Sequence, residues 1–73
     1  MSGSDAAREV QELVVEEDLA VGDLTHACDD YCEALACGES ERALEAQHAR
    51  NRARVRLTTI HERLKRAVLE IAK

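Results

Sequence analysis

The sequence predicts an all-α fold: an antiparallel two-helix hairpin that completes a bundle by oligomerisation or with a partner. Three observations lead there. The first is a charge split. Residues 1–39 carry eleven acids (Asp5, Glu9, Glu12, Glu16, Glu17, Asp18, Asp23, Asp29, Asp30, Glu33, Glu39) against Arg8, a net of −10, whereas residues 40–73 hold nine bases and four acids, a net of +5. Two segments of similar length and opposite charge are suited to lie side by side. The second is composition. The chain has no Pro, Phe or Trp and a single Tyr, so its core must come from Leu, Val, Ile and Ala, which suit helix-on-helix packing better than a sheet. The third is a heptad-like recurrence of apolar residues on both sides of Gly38.

Residues 1–4 read as a flexible N-terminus and 5–73 as one domain, since 73 residues support only a thin core. The first helix is expected over about 5–36, capped by Ser2 or Ser4, with Asp5 and Glu9 favourable at the positive end of its dipole. Its apolar positions are Val10, Val14, Val21, Leu24, Cys28, Tyr31 and Leu35, with Glu17 out of place. A break is possible near Gly22, where glycine costs about 1 kcal/mol in a helix interior and Asp23 could cap a new helix.

The turn is expected at 37–40, with Gly38 in the left-handed conformation and Ser40 capping the second helix. That helix then spans about 41–72. Its stripe runs through Leu57, Ile60, Leu64, Ala67, Val68 and Ile71, and backwards through Ala53, Ala49, Ala46 and Ala43. A fold-back at Gly38-Glu39 sets Val10 against Val68, Val14 against Leu64 and Val21 against Leu57. It also brings Arg50, Arg52 and Arg54 to the levels of Asp29, Asp30 and Asp23.

A second stripe on this helix, Leu44, His48, Asn51 and Val55, points away from the first. One hairpin cannot cover both, so a protein partner or a second copy is implied, giving a dimer or four-helix bundle. The residues assigned to partner contact are Leu44, His48, Asn51 and Val55, with Leu57, Ile60, Leu64 and Ile71 shared between hairpin and bundle.

Chemistry-bearing constellations are few. Cys28 and Cys32 share a helical face and His48 lies near their level on the other helix, a weak zinc-site candidate; small cysteines also fit an Ala-rich seam as packing residues. Arg50, Arg52, Arg54 and Arg56 form a strip that nucleic acid could use. Residues two apart on a helix diverge, however, no aromatic residue accompanies them for base stacking, and the acidic half opposes a polyanion. His26, His48 and His61 have no catalytic spacing, and a hairpin of this length offers no substrate cleft of roughly 300 Å³. A non-enzymatic chain without a cofactor is therefore expected. No run is long and apolar enough for a membrane span, and three cysteines without a signal peptide point to a reducing compartment, with cytoplasm as the default.

Two equal helices joined through Leu35-Ala36-Cys37-Gly38 resemble several small helical families, among them the co-chaperones of type III secretion needle subunits and the small subunit of exodeoxyribonuclease VII. That resemblance implies a chain that lends a helical face to a larger partner, as a chaperone, adaptor or accessory subunit. The reading from another class is a small nucleic-acid-associated regulator acting through Arg50–Arg56.

Overall fold

A computed structural model describes residues 2–73, with side chains from Asp5 onward; the side chains of the segment read as a flexible terminus, 1–4, lie outside the described residues. Two helices, α1 (Ser2–Ala36) and α2 (Ser40–Ala72), fold back on each other as an antiparallel hairpin 55 Å long and 14 by 13 Å across. α1 passes through Gly22 without a break. Gly22 is exposed with open space around it. Its propensity cost is about 1 kcal/mol, small beside the packing of a long amphipathic helix, so continuity wins.

The turn depends on glycine's missing Cβ. Gly38 takes φ +71°, a conformation costly for residues with a side chain. This lets the Glu39 N–H donate to the Ala34 carbonyl (2.8 Å) and the Gly38 N–H to the Leu35 carbonyl (3.2 Å). Together these form a Schellman ending that satisfies two orphan carbonyls of α1. The expected cap at Ser40 is not made. Glu39 occupies the N-cap position without a side-chain cap bond, and Ser40 is already helical. The Glu39 carboxylate instead accepts from Arg42 at 3.0 Å.

The seam between the helices is built from small residues at mostly seven-residue intervals. α1 buries Ala6, Leu13, Ala20, Ala27 and Ala34; α2 buries Ala43, Ala46, Ala53, Ile60 and Ala67. A heptad repeat keeps these positions on one line as the helices wind around each other. Near the turn the contact is almost all alanine. Toward the other end it thickens into a cluster of Leu13, Ala20 and Ile60, with Leu57 and Leu64 packed against it.

This corrects the seam expected for α1. Val14, Val21 and Leu35 do not face α2 but stay 43%, 46% and 56% exposed. Val10, Leu24, Cys28 and Tyr31 are half-buried beside the contact. The physical reason is that alanine lets the two backbones approach closely, and the bulkier stripe is turned to the flank. On α2 the expected stripe is largely the seam, except that Val68 and Ile71 remain about half exposed.

Candidate interaction surface

Seven-residue periodicity gives the hairpin two long edges, one on each flank of the seam. On the first edge, α1 places Glu9, Glu16, Asp23 and Asp30 at successive heptad positions, and α2 places Arg42, Ala49, Arg56 and Arg63. The two rows meet. Arg42 donates to Asp30 through both Nε and Nη2 and lies 3.3 Å from Glu33; Arg56 lies 3.6 Å from Asp23 and Arg63 3.8 Å from Glu9. The hydrogen bonds that Arg42 donates to Asp30, then to Glu39, raise the pKa of its guanidinium above the ordinary value.

Ala49 interrupts the arginine row. The gap is a groove of about 580 Å³ among Asp23, His26, Asp30, Glu45, Arg52 and Arg56. Its volume exceeds that expected for so small a hairpin, but it is an open trough lined by charges of both signs. Such a trough lacks the enclosed apolar walls of a ligand pocket.

The second edge is different. Val14, Val21, Cys28 and Leu35 succeed one another at heptad spacing on α1, five residues past the acidic row and so on the opposite flank of the seam. Val10, Leu24 and Tyr31 fill the space between them and the contact. α2 contributes Leu57, Leu64, Val68 and Ile71. Two polar crossings interrupt this edge. His61 Nε2 lies 2.5 Å from Glu17 Oε2, and the Arg50 guanidinium stacks 4.9 Å from the centre of the Tyr31 ring. That stacking is a cation–π contact. It leaves Arg50 Nε buried without a hydrogen-bond acceptor.

The residues assigned to partner contact from sequence fall in two places. Leu44, His48, Asn51 and Val55 lie on the outer face of α2, where all four are exposed; the last three line a shallow depression of about 430 Å³ with Arg52 and Arg56. Ile60 is 4% exposed and is used by the hairpin itself. Leu57 and Leu64 are half-buried, and Ile71 is exposed. The exposed row Val14, Val21 and Leu35 receives no partner assignment from sequence, because hydrophobic bulk alone places it in the seam. Its signal is an alanine at 6, 20, 27 and 34, which marks a competing line one residue away.

Arg50, Arg52, Arg54 and Arg56 form no single basic face. Arg56 and Arg52 turn to the charged edge, while Arg50 lies on the apolar one over Tyr31. Asp29 and Asp30 also differ from the pairing expected with this strip, since Asp30 is taken by Arg42. Cys28 is half-buried, Cys32 and Cys37 are exposed, and among the described residues no three His, Cys, Asp or Glu side chains converge as a metal-ligand set. The trio Cys28, Cys32 and His48 is thus not assembled. No described helix is long and apolar enough to cross a membrane. Comparison with protein-family models, curated proteins and solved structures finds no match for this chain.

Proposed function

We propose that this chain is a non-enzymatic helical interaction module, of the chaperone, adaptor or accessory-subunit kind, that works by offering its apolar edge to other helices. The observation that supports this reading is the inequality of the two edges. Where Glu9, Asp23 and Asp30 find arginines within the chain, Val14, Val21, Leu35, Val68 and Ile71 stay between 43% and 56% exposed. Aliphatic residues scattered singly on a surface need no explanation, but a row of them along one flank marks a docking surface.

Helix-in-groove and bundle contacts use such a row through its i, i+3, i+4 and i+7 anchors. The test is a double variant, Val21→Asp with Leu35→Asp, compared with the wild-type chain for helical signal, mass in solution and binding of an apolar fluorescent dye. Wild type is expected either to assemble or to bind the dye, and the variant to do neither while keeping its helices. A wild-type monomer that ignores the dye would remove the basis for this function.

A further inference from the structure

We infer that the occupant of the apolar edge is a second copy of this chain, related by a two-fold axis parallel to the helices, so that both turns lie at the same end and α1 of each copy packs on α2 of the other. The inference rests on the reading of that edge as an interaction surface and adds its occupant and geometry. Two copies stacked edge to edge can obey a two-fold axis in two ways. An axis along the hairpin sets α1 on α2 of the second copy. An axis across it sets α1 on α1 and α2 on α2, with the turns at opposite ends.

Charge separates the two. The half of the chain containing α1 carries −10 and the half containing α2 carries +5. Like-on-like stacking sets two helices of net negative charge side by side, and two of net positive charge, whereas α1 on α2 repeats across the dimer the opposite-charge neighbourhood already found within each hairpin. All four neighbouring contacts are then antiparallel and of opposite charge, the arrangement of an up-down-up-down bundle.

The dimensions of the molecule agree: the hairpin is 55 Å long and 14 Å across, so a face running its whole length is on the scale of the ~800 Å² per partner of a standard stable interface.

The experiment combines mass with one distance. Cys37 is exposed beside the turn, so a Cys28→Ala, Cys32→Ala variant carries a spin label there alone. A Cys28→Val, Cys32→Ser variant serves if the first loses its helical signal. Sedimentation is expected to give twice the 8.1 kDa chain mass. The label-to-label distance should be on the order of 20–30 Å, a bundle diagonal plus linkers.

A dimer with labels about as far apart as the 55 Å length of the hairpin overturns the arrangement. A monomer that still binds the apolar dye overturns the second copy as occupant but leaves the interaction surface standing. A monomer that binds no dye overturns both. Val21→Asp with Leu35→Asp should raise the dimer dissociation constant about 100-fold or more, and an unchanged constant overturns the proposal.

Discussion

Along one edge of the hairpin Glu9, Asp23 and Asp30 meet Arg63, Arg56 and Arg42; along the other, Val14, Val21 and Leu35 line the flank of α1 and stay about half exposed. Both rows are placed by the same seven-residue step, and both border the same alanine seam. The difference teaches that periodicity decides where a residue stands, while side-chain chemistry decides whether one chain is enough to satisfy it. Ion pairs at the rim are completed by single partners and help select the register, each adding only ~0–1 kcal/mol. Apolar area is completed only by more surface.

The contrast sets an order of sensitivity to substitution, and each step can break the comparison. Leu13 is 1% exposed in the cluster between the edges, so Leu13→Ala should cost ~2–5 kcal/mol by chemical denaturation. That is a large part of the stability of so short a chain. Leu64, half-buried where the cluster opens onto the apolar edge, should lose about 1–2 kcal/mol as Leu64→Ala, since only part of its surface is removed from water. Gly22→Ala, in open space on the outer face, should raise stability by about 0.5–1 kcal/mol, read as a higher thermal midpoint.

Asp23→Asn on the charged edge comes last. Its partner Arg56 is 3.6 Å away and both side chains are about half or more exposed, so a loss of ~0–1 kcal/mol is expected, shrinking in high salt. A larger loss at Asp23 than at Leu64 would mean that the charged edge, not the apolar one, carries the stability.

Much of this architecture is legible in the chain. The charge split and the missing Pro and aromatics announce paired helices, Cys37-Gly38 announces the turn, and Leu57, Ile60, Leu64 and Ala67 announce the contact of α2. The seam of α1 is not legible in the same way, because a reading weighted by hydrophobic bulk prefers Val14, Val21 and Leu35 to Ala20, Ala27 and Ala34. Bulk measures how much a residue gains by leaving water. It does not measure how close two backbones can come, and at this contact closeness prevails.

Arg42 escapes a sequence reading for a related reason. The run Arg50–Arg56 draws attention by density, whereas the densest set of charged contacts, with Asp30, Glu33 and Glu39, forms around a single arginine beside the turn. The outer row Leu44, His48, Asn51 and Val55 is visible as a second stripe. Which flank of α1 remains open is not, since that depends on a rotation of the helix that only the packed pair determines.

The grading of the seam, alanine beside Gly38 and Leu13, Ile60 and Leu57 toward the far end, also sets an order in time. Contacts next to the turn close a short loop and form at small entropic cost, but each buries little. Contacts around Leu13 and Ile60 close most of the chain and bury far more, before the seam ends in Ala6 and Ala67. A hairpin zipped from its turn is therefore loosely held until the large side chains lock. Backbone amides in Leu13–Ala20 and Leu57–Leu64 should be the last to exchange with solvent, although they are distant from the turn where closure begins.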